Sequence, residues 1–305
     1  MVSDVLTPAG LRLTPDDIVR DLKTLPSAPK VLPKLKDLLA DGNSSLYEIV
    51  TLIRIDPGIA ARVLQTANST YFSQGIRCYT VEEAVNRVGY DQIYDLVSYA
   101  VSSQVLVRPL EVYGVEADDL WRQSVACALA AESLANRTNQ DRNVAYTIGL
   151  LHCLGMVAID EWVLRNVPGL LLSSAGLPRE ATEAERNAFG FTQAETGSTL
   201  MRYWGFPLSM SEPIRWQYTP RASASQSRMS SLLLAAKWLR SAVCGNAETP
   251  PALPEASQLL PLGLNPQVLP GMLSEVKQRL DEVSTLLEPR RRDSERHRFP
   301  TAPTE

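Results

Sequence analysis

Helix start and stop signals recur along this chain so closely that little room is left for a sheet, and no other feature constrains the fold as much. Thr14-Pro15-Asp16-Asp17 places an oxygen acceptor at an N-cap, a proline at the first helical position and acids where the helix dipole favours them. Ser45-Leu46-Tyr47-Glu48 and Thr80-Val81-Glu82-Glu83 have capping-box spacing, in which the first and last side chains each satisfy a backbone N–H of the other. Asp56-Pro57 opens a helix whose Ile59, Ala60, Val63, Leu64 and Ala67 share one face. Gly89 closes the helix from Val81, and Asp91 caps another that runs toward Val107. Further helices are predicted over 120–137, 143–157, 191–204, 207–217 and 223–243. The one over 143–157 is apolar nearly all round, as a helix at the centre of a large core must be. No stretch alternates with period two between hairpin turns. The expected fold class is all-α.

Periodicity lapses from Arg108 to Ala117, which divides the chain into two helical lobes, 15–108 and 117–245, behind an N-terminal extension at 1–14. The proline-rich stretch 249–266 reads as a loop. Asn265-Pro266 then starts a last amphipathic helix over 267–288, with Val268, Leu273, Val276, Leu280, Val283 and Leu287 at helical spacing. The polar segment 289–305 is expected to be disordered. A chain of 305 residues can bury about three quarters of its unfolded surface, so these lobes need no staples.

The composition narrows the function classes. A net charge of -4 argues against a nucleic-acid binder, because phosphate contacts need clustered positive charge. Arg290, Arg291, Arg292, Arg296 and Arg298 are the exception, read as a solvated end, with a tether to an acidic partner or nucleic acid as the alternative. Cys78, Cys127, Cys153 and Cys244 have no CxxC spacing, which argues for reduced thiols in a cytoplasmic protein. Met1 to Gly10 lacks the pattern of a secretory signal. The longest apolar stretch, Thr147 to Ile159, falls short of the roughly 20 residues that span a bilayer, so no membrane partner is expected. Neither GxxxxGK[ST] nor GxGxxG occurs.

Only two histidines are present, and His297 lies in the polar tail. His152 stands beside Cys153, like a His-Asp ligand pair whose carboxylate has become a thiol. One imidazole cannot both hold a catalytic metal and leave positions open for water; zinc recruited with carboxylates elsewhere is the lesser alternative. A Ser-His-Asp arrangement has one plausible base at most. The plainer reading of His152 is a core histidine hydrogen-bonded to backbone or to a glutamine.

Several motifs stand in a fixed order. They are Leu25-Pro26-Ser27-Ala28-Pro29; Ile55-Asp56-Pro57 with Arg62-Val63-Leu64 and Ala67-Asn68-Ser69; Val81-Glu82-Glu83-Ala84-Val85 with Val88-Gly89; Leu120-Trp121-Arg122-Gln123-Ser124; Gly149-Leu150-Leu151-His152; Tyr203-Trp204-Gly205-Phe206-Pro207; and Ile214-Arg215-Trp216-Gln217-Tyr218-Thr219-Pro220. Together they resemble the HDOD domain (HD-related output domain). That resemblance implies a two-lobed, all-helical relative of the HD metal-dependent phosphohydrolases, used in bacteria as a signalling output module. It also implies that the hydrolases' ligand positions fall here on Gln123, His152-Cys153, Gln193, Gln217-Tyr218 and Ala236. Neutral amides are poor ligands for divalent metals and alanine is none, so neither metal nor other cofactor is expected.

The resemblance further implies that Gln123, Gln193 and Gln217 converge around His152 in a metal-free polar network. Trp121, Trp204 and Trp216 would then be walls of a small-molecule pocket beside Gln217 and Tyr218, or simply core filling. Helix chemistry explains Asp56, Pro57, Asn68, Ser69 and Gly89, as cap, first-turn proline, helix end and stop, with an interaction surface at Asp56, Asn68 and Ser69 as the alternative. The expected function is a non-catalytic bacterial regulator that acts through contact with an unidentified signalling protein. A residual phosphohydrolase acting on a nucleotide or phosphodiester is the alternative.

Overall fold

In a computed structural model of the chain, Thr14 accepts from the Asp17 N–H while the Asp17 carboxylate accepts from the Thr14 N–H, a complete capping box. The structure describes residues 13–22, 31, 34–35, 38, 44–73, 75–89, 92–93, 109–172, 178–245 and 251–287. Most of the N-terminal extension, the Leu25 to Pro29 motif, nearly all of the helix from Asp91 toward Val107, and the tail 289–305 lie outside the described residues. Among those described, the chain is helical, and its one bridge pairs Leu110 with Val115 across a tight turn.

The longer helices are α1 (Pro15–Asp21), α2 (Leu46–Arg54), α3 (Pro57–Asn68), α4 (Val81–Val88), α5 (Ala117–Thr138), α6 (Arg142–Leu151), α7 (Leu154–Asn166), α8 (Pro178–Phe189), α9 (Gln193–Tyr203), α10 (Leu208–Arg215), α11 (Ser227–Cys244) and α12 (Leu273–Leu287). Ser45 and Glu48 form the second box in full. At the third, Thr80 accepts from the Glu83 N–H, but the Glu83 carboxylate accepts from Tyr79 N at 2.7 Å, one residue earlier than the box motif requires.

Three boundaries depart from the sequence expectation. The apolar helix expected over 143–157 breaks at His152-Cys153: the Gly149 carbonyl, which a continuous helix would give to Cys153 N–H, accepts from His152 Nδ1 at 2.7 Å. The whole run Arg142–Asn166 is long and apolar enough to cross a membrane, but 89% of its most apolar window is buried inside the protein. Pro178–Phe189 is a helix that the sequence reading passed over, because its charged surface masks the few positions that turn inward. The last helix starts at Leu273, not in the 260s: Pro270 lacks the N–H a continuous helix would need, so 3-10 turns at Pro266–Val268 and Pro270–Met272 precede it.

The core of the second lobe is α5 packed on α6 and α11, with α12 on its outer side. There Arg279 reaches Ser133 Oγ at 2.8 Å and pairs with Glu132. Small residues set how closely the helices cross. A Cβ on Gly149 would lie 2.8 Å from the Ala128 Cα, and a Cβ on Gly155 would lie 1.8 Å from the Gln193 carbonyl oxygen. The second contact presses α7 onto the start of α9. α1 belongs to this side too, lying against α7 and α9.

α2, α3 and α4 form the first lobe, pinned to the second by polar contacts at its edges. Trp121 Nε1 donates to Ile55 O at 2.8 Å, and Tyr146 donates to Arg54 O at 3.2 Å. Arg54 pairs with Glu132 at 3.0 Å. On the opposite edge Gly205, at φ +76, comes so near Asn68 that its missing Cβ would sit 3.1 Å from the Asn68 carbonyl oxygen.

Candidate functional site

The break between α6 and α7 turns the His152 ring into the core between α6 and α11. The ring is fully buried, and its Nδ1–H donates to Gly149 O, which leaves the Nε2 lone pair as an acceptor. Arg240, from α11, donates Nη1–H to that lone pair at 2.8 Å. The Cys153 thiol also reaches it, at 3.0 Å. Burial, then the cations of Arg240 and Lys237, push the His152 pKa well below its ordinary value, so the ring is neutral. Burial raises the Cys153 pKa and keeps the thiol protonated as a donor.

Gln217, at the end of α10, is fully buried and donates from Nε2 to His152 O at 3.2 Å and to Ile214 O at 3.0 Å. Its Oε1 has no partner. Gln193, at the start of α9, donates from Nε2 to the Tyr218 hydroxyl at 2.7 Å, and its Oε1 is likewise without one. The Gln193 backbone N–H donates to Glu185 of α8 at 2.8 Å, and Glu185 also accepts from the Tyr113 hydroxyl at 2.7 Å. Burial outweighs both bonds and raises the Glu185 carboxyl to about 7. Ala236 is fully buried on α11, one residue before Lys237. Lys237 Nζ stands 3.2 Å from the centre of the Tyr218 ring and has no hydrogen-bond partner. Burial and the neighbouring Arg240 depress its pKa strongly.

His152 therefore bonds Cys153, Gln217 and Arg240, while Gln193 and Tyr218 form a second pair with Lys237 against the Tyr218 ring. Gln123 is half-buried on α5 and makes no hydrogen bond to this network among the described residues. The tryptophans serve separate places. Trp121 is the lobe pin to Ile55, Trp204 packs half-buried on the core, and Trp216 bonds Glu212 at 2.8 Å. Trp216 and Tyr218 do share a wall of one surface groove of about 440 Å³, rimmed by Arg186, Arg215 and Glu195.

The motif positions of the first lobe have backbone partners. Asp56 caps α3 through Ile59 N at 2.8 Å, with Pro57 in the first turn. Asn68 exchanges two bonds with the Cys78 backbone, 3.0 Å to its O and 2.8 Å from its N. Ser69 donates to Thr66 O at 2.7 Å, and Gly89 ends α4 at φ +91.

Arg240, Lys237 and Glu185 are the site residues the sequence reading missed. A signal existed for two of them: Lys237 interrupts the apolar run from Leu232 and Arg240 ends it, at a spacing of three, so this stretch carries two basic side chains toward one side of the helix. The donor set does not fit a divalent metal. The one imidazole lone pair is engaged by a guanidinium, Ala236 offers nothing, and two cations lie where a metal would need anions. Among the described residues no three His, Cys, Asp or Glu side chains gather into a possible metal set.

A family model of the HDOD domain matches residues 25–220. An uncharacterized protein of Treponema pallidum is 28% identical over 200 residues, which is 64% of this chain but 37% of that protein, so the chain spans little more than a third of that relative's length. Among solved structures, the MmoQ response regulator of Methylococcus capsulatus superposes with TM-score 0.64 at 20% identity, over 82% of this chain and 98% of its own. A virulence factor of Campylobacter jejuni superposes with TM-score 0.64 at 19% identity, over 88% of this chain and 96% of its own. At these identities the likeness is one of fold.

Proposed function

The chain belongs to the HDOD domain family, and from that premise we propose that it is a non-catalytic bacterial signalling module that works by docking another signalling protein. The observation that carries the first half is the 2.8 Å bond from Arg240 to His152 Nε2. It supports a site closed by the protein's own cation, with no lone pair left to bind a metal and no metal to activate water. A role in signalling accords with the response-regulator name of the M. capsulatus structure.

The docking half is supported by what surrounds the junction of the two lobes. Gly205 lies against Asn68 and Arg77, which brings residues 70–73 and 75–77 toward the segment 203–208. Those segments expose Tyr71 at 82%, Ile76 at 67%, Tyr203 at 66% and Leu208 at 62%. Large apolar groups left in water around the junction favour a protein partner. Partner capture by the full chain should fall by about tenfold or more in Tyr71→Ser and Tyr203→Ser, with melting unchanged. Capture that ignores both substitutions would place docking elsewhere.

A further inference from the structure

We propose that Lys237 and Arg240 form the buried end of a binding site for a protonated phosphate group, reached through the groove that Tyr218 walls. Lys237 is 7% exposed and Arg240 3%. Arg240 donates to His152 Nε2 and to Ser241 Oγ at 3.0 Å, both neutral acceptors. Lys237 Nζ donates to nothing. Neither has a carboxylate within ion-pairing distance among the described residues, and the one acid that acts on Lys237, Glu185, is itself raised to about 7, so two buried basic groups stand together without a paired anion. Removing an ion from water without a counter-charge is costly, and proteins supply the anion or bind it.

The neighbouring orphans specify which anion. Gln193 Oε1 and Gln217 Oε1 are buried acceptors without donors. A bare dianion such as sulfate would satisfy Lys237 and Arg240 but meet those two oxygens with repulsion. A hydrogen phosphate or phosphomonoester monoanion accepts from both cations and donates its P–OH to a glutamine oxygen. It matches donors and acceptors alike. Entry is through Tyr218, whose ring covers Lys237 on one side and lines the groove of about 440 Å³ on the other. Rotation of that ring into the groove uncovers the amine, and the groove has room for the organic part of an ester. Burial and the neighbouring Arg240 depress the Lys237 pKa, with Cys153, Cys127 and Glu185 opposing them, so an anion bound beside the amine should favour its protonated form.

This site rests on the reading that the pocket of His152 is not a metal centre, and it offers that reading an input signal. The test is calorimetric titration of the full chain with inorganic phosphate, glycerol phosphate and sulfate, each in two buffers of different ionisation heat. Saturable binding of inorganic phosphate or of the ester, with sulfate about tenfold weaker and net proton uptake, is expected. Which of the two phosphates binds more tightly identifies the source. Lys237→Met and Lys237→Gln should each weaken binding by about tenfold or more and remove the part of the proton uptake that the amine takes, leaving only the proton gained by the phosphate itself, whose second pKa is about 6; the pair guards against one variant failing to fold. No saturable heat, sulfate equal to phosphate, or undiminished binding in a folded Lys237 variant would overturn the site. A stoichiometric metal would overturn the underlying reading whatever phosphate does, whereas indifference to phosphate in a metal-free protein overturns this site alone.

Discussion

Gly155 lies so close beneath Gln193 that a Cβ at Gly155 would come within 1.8 Å of the Gln193 carbonyl oxygen. The obstacle is backbone at the first turn of α9, so it cannot swing aside as a flexible side chain would. The residue that sets this crossing also sets where Gln193 stands. Gly155→Ala should cost about 3 kcal/mol or more through overpacking, read from denaturant melts. A loss below about 0.5 kcal/mol, the range of an ordinary surface change, would contradict the close crossing of α7 and α9.

Asn68 closes a loop by bonding both polar groups of the Cys78 backbone, and both residues are buried. Asn68→Ala leaves a buried N–H and a buried C=O unsatisfied, with an expected cost of about 2 kcal/mol. Because the Asn68 carbonyl also faces Gly205 and accepts from Arg77 at 2.9 Å, the loss should be felt across the lobe junction. Hydrogen exchange of the segment 76–80 should rise together with that of 204–206. Faster exchange confined to the first lobe would break the link.

Glu185 titrates near 7 in the folded chain against an ordinary value of 4.5. The folded state therefore holds this proton over a range in which the unfolded state has released it. Stability contributed by the protonated form is present below the unfolded value and is lost as pH rises through the folded one. Relative to Glu185→Gln, which cannot ionise, the native chain should lose up to about 3 kcal/mol between pH 4.5 and pH 8. Melts of both proteins over that range check it, and a difference independent of pH would show that Glu185 is not shifted upward.

The helical class was legible because it rests on local chemistry that the chain writes out directly: an oxygen side chain at Ser45 and a proline after Asp56 act within a few residues. The helix at Pro178–Phe189 was not, since its inward face is only a few positions wide and one of them is the acid Glu185. At the site, the resemblance implied that Gln193, Gln217 and Tyr218 lie near His152; Gln217 bonds the His152 carbonyl, whereas Gln193 and Tyr218 bond each other. Arg240 escaped because it is 88 residues from His152, and a distant arginine becomes a histidine's partner only once α11 has packed beside α6. The break at His152 escaped for a related reason. Apolar periodicity reports which residues are buried, whereas the kink depends on where one imidazole proton finds its carbonyl.

Metal content tests the central claim most directly, namely that a guanidinium holds the lone pair a metal would need. The full chain, equilibrated with manganese, ferrous iron and zinc and then freed of unbound ions by gel filtration, should retain far less than one metal per chain. Retention of one or more equivalents that disappears in His152→Ala would contradict it.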